Sequence, residues 1–493
     1  MPKGNTYYYF VPSDFLSLFL LLPPECQVAK MCKFSHFYML ICDCSHILLT
    51  SRKSCKSMDL DRDIISKLLL WKDSKARKPL IIQGARQIGK TWVMKEFGHK
   101  HYRHTAYFNF DASNELIAEF EKTKEPSRLI KILQAYTPEP IVPDETLIIF
   151  DEIQQCNRAL NSLKYFCEDA PQYHVMAAGS LLGVSLNHGD SFPVGKVDFV
   201  KMYPLSFREF LQADNPMICR ALDECDDFTQ LPATIINQCR ESYIRYSICG
   251  GLPRPAVDML EQAGLETVEK DQRDILTAYA LDFAKHAPGV EIPRITNVWN
   301  SIPSQLAREN RKFVYKLVKP GARAREYEDA LLWLQQAGLI YKVLCCSKPG
   351  IPLSAYDDLS AFKIYLFDTA LLRVLAQIPA EIFTNPNPMF AEFKGAMAEN
   401  AVLQSLIMQF DVMPRYWVSS GTAEVDFLVQ SSLDIVPVEV KSGTNTSGRS
   451  LSVYIGKYEP SRAIVYSDTP TVRIDKIIHI PIFLADWTKR IYY

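Results

Sequence analysis

The sequence predicts an α/β protein in which a parallel sheet is covered by helices on both faces, and three observations predict it. Residues 84–91 (GARQIGKT) fill every fixed position of a phosphate-binding loop, the P-loop. The apolar run 79–83 precedes this loop, and an amphipathic helical pattern follows it over 91–97. A second apolar run, 146–150, ends in two adjacent carboxylates. The strand–loop–helix order is the context that separates a P-loop from a chance match.

The P-loop predicts a binding site for a nucleoside triphosphate. Its glycines let the backbone curl so that N–H groups point at phosphate oxygens, and the helix start adds the positive end of its dipole. Lys90 would reach the β- and γ-phosphates and act in catalysis, and the Thr91 hydroxyl would hold Mg²⁺. The predicted nucleotide-binding residues of the loop are Gly84, Ala85, Arg86, Gln87, Ile88, Gly89, Lys90 and Thr91.

The two carboxylates at the end of the second apolar run, Asp151 and Glu152, predict that the nucleotide is hydrolysed. Asp151 would hold the Mg²⁺ water shell beside the P-loop. Glu152 would act as the general base on a water that attacks the γ-phosphate. ATP is expected rather than GTP, because the guanine-reading pattern Asn-Lys-x-Asp or Thr-Lys-x-Asp is missing from the sequence, and the nearest match, 195–198 (GKVD), lacks its first residue.

Further strand-like runs support the parallel sheet. They cover 106–110, 174–178 and 196–200, and helical patterns lie between strands at 128–136 and 159–168. Strands that alternate with helices predict a parallel sheet with helices on both faces. The run that ends at 178 is followed by Gly179 and Ser180, and the Ser180 hydroxyl would either sense the γ-phosphate or cap a helix that starts at the next residue.

Length and composition limit the other possibilities. A chain of 493 residues has room for two to four domains. Its formal net charge is −1, so any nucleic-acid contact would require a local basic patch. No apolar run approaches the ~18 residues that predict a transmembrane helix, so no membrane association is expected. Cysteines beyond residue 57 follow no disulfide framework, which favours reduced thiols in a cytoplasmic protein.

The first 57 residues differ from the rest and contain five of the 13 cysteines. We interpret them as a poorly ordered or spurious extension, with Met58 as an alternative start of the protein. A signal peptide is the other interpretation, since an apolar stretch covers 15–22, but Pro23 and Pro24 follow it instead of a small-x-small cleavage site.

Taken together, several motifs resemble those of prokaryotic AAA-type ATPases that carry a C-terminal domain of unknown function. Besides the P-loop they are 151–154 (DEIQ), 178–180 (AGS), 192–197 (FPVGKV), 203–210 (YPLSFREF) and 250–253 (GGLP). The resemblance covers residues 60–493 and implies an ATPase core over 58–215. It also implies that oligomers are an option, since such ATPases often assemble. Lys196, Arg208 and Arg254 are open candidates for an arginine finger, and each could equally be a surface charge.

Between this core and the tail, the sequence predicts two helical regions. Residues 216–300 have a helix-rich pattern and would form a lid over the nucleotide. Residues 301–378 contain the order helix, helix, strand over 312–319, 323–334 and 338–343, which is typical of a winged helix-turn-helix. This region is locally basic, as a nucleic-acid contact would require, although the same charges could be solvated. Its basic residues are Arg308, Arg311, Lys312, Lys316, Lys319, Arg323 and Arg325.

The tail, 389–493, resembles the PD-(D/E)XK nuclease fold, and three prolines at 379–388 mark its boundary. Asp426 lies in the apolar run 423–429, and Glu439 and Lys441 close the run 435–441. The resemblance implies that Asp426 and Glu439 chelate Mg²⁺, that Lys441 orients or activates the attacking water, and that Glu399 joins as an outer ligand from a helix. A nuclease-like fold that no longer cuts is the alternative.

These features lead to three hypotheses of function. In the first, ATP hydrolysis is coupled to a transaction on DNA or RNA through the winged-helix and nuclease-like domains. In the second, the chain is a nucleotide-dependent regulatory switch whose C-terminal domain is a non-cutting platform for a protein or DNA partner. A small-molecule phosphotransferase is the least favoured, because Glu152 favours water as the acceptor.

Overall fold

The computed structural model of the chain describes residues 60–179, 193–308, 310–384, 390–443 and 448–492. The extension over 1–57 and the predicted sensor Ser180 lie outside these residues. Residues 60–493 group into one compact unit. In the first half, the helices and strands alternate as the sequence predicts. They are α1 Ile64–Lys72, β1 Leu80–Gln83, α2 Lys90–His101, β2 His104–Asn109, α3 Asn114–Lys122, α4 Pro126–Ala135, β3 Thr146–Asp151, α5 Asn157–Asp169, β4 His174–Ala178 and β5 Asp198–Lys201.

These five strands form one parallel sheet in the order β2-β3-β4-β1-β5, which confirms the predicted α/β class. The strands β3 and β4 are buried along their full length, which is why their sequences are apolar runs without alternation. Successive residues of β1 point to opposite faces: Leu80 and Ile82 join the larger core, and Ile81 joins the core under α3, α4 and α5. The carboxyl ends of all five strands therefore lie at the same end of the sheet, where the P-loop follows β1.

Helices make up the next part of the chain, in agreement with the helix-rich pattern predicted for 216–300. Proline at the first turn helps to start three of them, because its fixed φ suits a helix N-terminus. The helix that begins at Phe207 has a capping box between Ser206 and Glu209. These helices are α6 Phe207–Asp214, α7 Pro216–Asp223, α8 Ala233–Cys249, α9 Pro253–Leu260, α10 Leu265–His286 and α11 Ile292–Leu306.

The rest of the chain forms a second sheet and its helices. The first helix predicted in 301–378 is only four residues long, and the second helix and the strand lie close to their predicted positions. The elements are α12 Tyr315–Val318, α13 Ala324–Gln336, β6 Ile340–Cys346, β7 Asp357–Leu366, α14 Thr369–Leu375, α15 Ala391–Gln409, β8 Arg415–Val418, β9 Glu424–Ser431, β10 Asp434–Val440, α16 Arg449–Tyr458, β11 Ala463–Ser467, β12 Val472–Ile474, β13 Ile477–Pro481 and α17 Thr488–Tyr492.

The second sheet crosses the proline-rich boundary that the sequence suggested. Its eight strands run in the order β12-β13-β11-β10-β9-β8-β6-β7. The antiparallel hairpin β6–β7 comes from the region predicted as a winged helix, and β6 pairs in parallel with β8 through Cys345 and Tyr416. The hairpin and the tail therefore share one hydrogen-bonded sheet.

Two of the family-marker motifs pack against each other behind the P-loop. The backbone N–H of Leu205 donates to the carbonyl of Gly251 at 2.6 Å. A Cβ atom added at Gly251 would lie 2.3 Å from the Leu205 carbonyl oxygen, so only glycine fits at this approach. Asp368, which caps α14, accepts a hydrogen bond from the Gly251 N–H at 2.8 Å. The motifs therefore join the part of the chain that contains the parallel sheet to the C-terminal part.

Candidate active site

The P-loop connects β1 to α2 and encloses the amine of Lys90. The Lys90 Nζ donates to the carbonyl oxygens of Gly84 at 3.1 Å and Ala85 at 2.7 Å. Gly84 is required at its position, because a Cβ there would lie 2.3 Å from the carbonyl oxygen of Met202. Gln87 has a φ of 64°, a left-handed conformation that is uncommon for a residue with a side chain. Such backbone strain concentrates at binding sites.

Thr91 and Asp151 meet as the sequence predicts. The Thr91 hydroxyl donates to Asp151 Oδ2 at 2.7 Å, although the two residues belong to α2 and to the end of β3. The Tyr107 hydroxyl, from the neighbouring strand β2, donates to the same Oδ2 at 2.9 Å. A hydroxyl and a carboxylate at this distance form a set of hard oxygen donors, which suits Mg²⁺ with water in its remaining positions.

Glu152 follows directly after β3 and turns out of the strand. Its φ of 51° is left-handed, and its backbone N–H donates to Asp151 Oδ1 at 3.1 Å. The amide of Gln154 donates to the Glu152 carboxylate. The amide therefore orients the predicted general base next to the predicted Mg²⁺ ligand.

Burial lowers the pKa of Lys90 to about 8. The nearby charge of Arg86 adds to this effect, whereas the carboxylates of Glu152 and Asp151 oppose it. The Lys90 ammonium therefore lies close to both carboxylates, and above about pH 8 most of it would be neutral in the free protein.

A buried arginine supports the P-loop from behind. The Arg62 Nη1 donates to the carbonyl of Ile88 at 3.0 Å, and its Nη2 donates to the carbonyl of Tyr203 at 2.8 Å. Its Nε pairs with Glu209 at 3.0 Å, and both side chains are almost completely buried. One guanidinium therefore links the loop, the chain after β5 and the helix α6.

Helix α10 covers the opposite side of the loop. The Tyr279 hydroxyl donates to the carbonyl of Arg86 at 2.7 Å. One turn further along α10, Asp282 forms an ion pair with the Arg86 guanidinium. The open candidates for an arginine finger instead pair with carboxylates elsewhere: Lys196 with Glu168, Arg208 with Asp63 and Asp223, and Arg254 with Asp271.

The predicted carboxylates of the tail converge, but cations of the same chain pair with them. Glu399 accepts a hydrogen bond from the Tyr365 hydroxyl at 2.9 Å and forms an ion pair with Arg311. The fully buried Lys363 amine lies 2.5 Å from Glu424 and 3.8 Å from Glu399. Arg311 thus lies half-buried in this cluster, whereas the sequence grouped it with the surface charges of the basic region.

The other residues predicted for this second site are also engaged. Asp426 Oδ2 accepts a hydrogen bond from the Val440 N–H at 2.8 Å, and the Lys441 amine lies 2.5 Å from Glu439. Burial, together with the charges of Glu399 and Glu439, holds the pKa of Asp426 well above its usual range. Within the described residues, no group of three or more His, Cys, Asp or Glu is arranged to hold a metal ion. The Mg²⁺ site in the tail stays a prediction.

Sequence reasoning missed the residues that reach the site from a distance. Arg62, Tyr279 and Asp282 belong to no motif, and they lie 26, 193 and 196 positions from their partners in the loop. The position of Tyr107 in its strand was a signal that the sequence contained. Tyr107 precedes Asn109 by two residues, and Asn109 pairs with Asp151 in the sheet. Side chains two apart on a strand share a face, so Tyr107 lies on the same face as Asn109.

Comparison with protein families identifies one domain by type. Residues 76–211 match a family described as an AAA domain. Residues 240–382 and 394–484 match two families described as domains of unknown function, DUF8612 and DUF4143. No curated protein matches the chain. The match to the AAA domain family contains the predicted P-loop and all five strands of the parallel sheet. None of the described helices is both long and apolar enough to cross a membrane.

Several solved structures are similar to the chain at low identity. The Walker-type ATPase PABY2304 of Pyrococcus abyssi is 14% identical, with a TM-score of 0.42, over 65% of this chain and 96% of its own. The ORC1 protein of Aeropyrum pernix in complex with DNA is 13% identical, with a TM-score of 0.30, over 66% and 95%. The RuvB Holliday junction branch migration motor of Thermotoga maritima is 15% identical, with a TM-score of 0.27, over 59% and 90%.

The pKa of Lys90 predicts that nucleotide affinity depends on pH. Below about pH 8 the free protein carries the ammonium that the phosphates require. Above that pH a proton must be taken up on binding, so affinity should fall by up to about tenfold per pH unit. Titration of a fluorescent ATP analogue from pH 6.5 to 9.5 measures this fall.

The control for this profile is Lys90→Arg, whose guanidinium stays charged throughout and should give a flat profile. Calorimetry of the unaltered protein at pH 9 in two buffers of different ionisation enthalpy reports proton uptake independently. Constant affinity over the whole range, with no proton uptake, would contradict the assignment of the pH dependence to Lys90.

Proposed function

We propose that the AAA domain hydrolyses ATP with Mg²⁺ and that hydrolysis changes how the C-terminal part contacts a nucleic acid. The main support for ATP hydrolysis with Mg²⁺ is the 2.7 Å contact between Thr91 and Asp151 at the mouth of the P-loop. This contact brings together the two oxygen donors that the chemistry needs, beside Lys90 and Glu152. The alternative functions of a P-loop, binding without turnover or transfer to a small molecule, do not require a carboxylate in the position of Glu152.

In this proposal, each residue of the site has a separate task. The backbone N–H groups of the loop and the Lys90 amine bind the phosphates, and the carbonyls that now accept from Lys90 give way to phosphate oxygens. Thr91 and Asp151 would hold Mg²⁺, which would neutralise charge on the β- and γ-phosphates. Glu152 accepts the proton of the attacking water.

Two substitutions test the assignment of these tasks. Lys90→Ala should remove binding of a fluorescent ATP analogue, because the loop loses its charge for the β- and γ-phosphates. Glu152→Gln should keep that binding within about threefold and lower turnover by about 100-fold or more, as removal of a general base does. Phosphate release measures turnover, and unchanged turnover in Glu152→Gln would contradict its role as the base.

A set of exposed cations supports a nucleic acid as the partner. Lys312, Lys316, Lys319, Arg323 and Arg325 are exposed around α12 and the start of α13. The helices α11, α12 and α13 followed by the hairpin β6–β7 have the order expected of a winged helix. Clustered cations on one segment attract phosphates by releasing the counterions around a nucleic acid.

Charge reversal of this set tests the nucleic-acid partner. The triple variant Lys316→Glu, Lys319→Glu, Arg323→Glu should weaken binding of single-stranded and duplex DNA and of RNA. It should also reduce the slope of log K against log salt by about one for each phosphate that the variant no longer neutralises. It should keep the basal ATPase rate and abolish any stimulation by nucleic acid. The control is Lys122→Glu, Arg128→Glu, which reverses exposed charges on α3 and α4.

A protein that neither binds nor responds to any nucleic acid would contradict this partner while leaving the ATPase assignment intact. A second candidate function, the nucleotide-dependent switch with a non-cutting platform, is favoured by the pairing of Glu399 with Arg311 and Lys363. A carboxylate whose charge is compensated within the chain is a poor ligand for a divalent cation.

The second candidate predicts that the chain with Mg²⁺ and ATP leaves labelled DNA and RNA uncut. If cutting occurs, Asp426→Ala should stop it and leave the ATPase rate unchanged, and the platform hypothesis is then wrong. Asp411→Ala, which removes an exposed carboxylate just before β8 of the same sheet, serves as the matched control.

A further inference from the structure

Arg86 is the second cation of the P-loop, and its surroundings distinguish it from a solvated surface charge. Its guanidinium forms an ion pair with Asp282, and the side chain is 37% exposed where that of Asp282 is only 14% exposed. The carboxylates of Glu152 and Asp111 also stabilise its charge, and its own charge opposes that of Lys90. Arg86 itself lies between Gly84 and Lys90, in the loop that would enclose the phosphates.

The backbone under this side chain is fixed. The Tyr279 hydroxyl donates to the Arg86 carbonyl, and the next residue, Gln87, is held in a left-handed conformation. The backbone of Arg86 is therefore fixed, and the ion pair with Asp282 determines where its guanidinium points. The residues on both sides of it belong to the loop that wraps the phosphates.

We propose that Arg86 is a catalytic residue that contacts the γ-phosphate, and that Asp282 positions it. The inference rests on the proposed hydrolysis. In that reaction the water oxygen forms a bond to the γ-phosphorus as the bond to the bridging oxygen breaks. ADP leaves with the electron pair, and Glu152 takes the proton of the water. The Arg86 guanidinium stabilises the charge spread over the three other oxygens of the phosphoryl group.

Asp282 and the γ-phosphate are then simultaneous partners of one guanidinium, whose five N–H donors can serve two anions. ATP supplies the γ-phosphate as the second anion, and ADP lacks that third phosphate. Removal of Arg86 should therefore affect ATP far more than ADP. Asp282 should act only through Arg86, because its carboxylate contacts the loop by that ion pair.

The test combines binding and turnover in four variants and one control variant. Arg86→Ala should lower the single-turnover rate by about 100-fold or more, the effect of losing one preorganised donor of transition-state charge. It should lower the affinity for ATP while ADP affinity stays within about threefold, and Arg86→Lys should restore part of both. Asp282→Asn alone should lower the rate, and in the Arg86→Ala background it should change nothing further. Arg103→Ala, which breaks the exposed pair with Glu145 at the other sheet edge, should match the unaltered protein.

The outcomes separate this proposal from the hydrolysis on which it rests. If the unaltered protein binds ATP without turnover, the proposed hydrolysis is wrong, and the ATP-to-ADP affinity ratio still decides whether Arg86 contacts the γ-phosphate. Equal losses of ATP and ADP affinity in Arg86→Ala, or an unchanged rate, would overturn the role of Arg86. An effect of Asp282→Asn that persists in the Arg86→Ala background would overturn the positioning role, because Asp282 would then act on its own.

Discussion

The half of the molecule that contains the P-loop depends on the buried charge of Arg62. A guanidinium in a protein interior is costly unless hydrogen bonds and an opposite charge compensate it. Arg62 meets this demand by bonding at once to the P-loop at Ile88, to the chain after β5 at Tyr203 and to Glu209 in α6. Removal of any one of these bonds would leave buried polar groups unpaired, so the loop, the sheet edge and the helix are fixed relative to one another.

The sequence predicted the parts of the site that local rules control. The P-loop, the strand that ends at Asp151 and the parallel sheet follow from short motifs and from apolar runs whose spacing alone indicates a strand or a helix. The contacts of Arg62, Tyr279 and Asp282 could not be predicted in this way. Each joins residues with no shared periodicity, and whether such side chains meet depends on how helices pack onto the finished sheet.

In the tail, too, local sequence predicted some features of the site, and others depend on contacts between distant residues. Apolar strand runs around Asp426 and Glu439 predicted that these carboxylates lie together, and Asp426 accepts a hydrogen bond from the backbone N–H of Val440, the residue after Glu439. The ion pairs of the neighbouring Glu399 and Glu424 were not predictable. Arg311 follows α11 in the region whose basic residues were predicted to contact a nucleic acid or to be solvated, and Lys363 lies in β7. A basic residue in sequence does not reveal whether its partner is a phosphate or a carboxylate of its own chain.

The shared sheet limits how far the chain can be treated as modular. The two family matches of unknown function end and begin at residues 382 and 394, yet β6 and β8 pair across that gap. A break there would expose two strand edges with unsatisfied backbone groups, which promote aggregation. Exchange of the tail between relatives would therefore have to include the hairpin β6–β7.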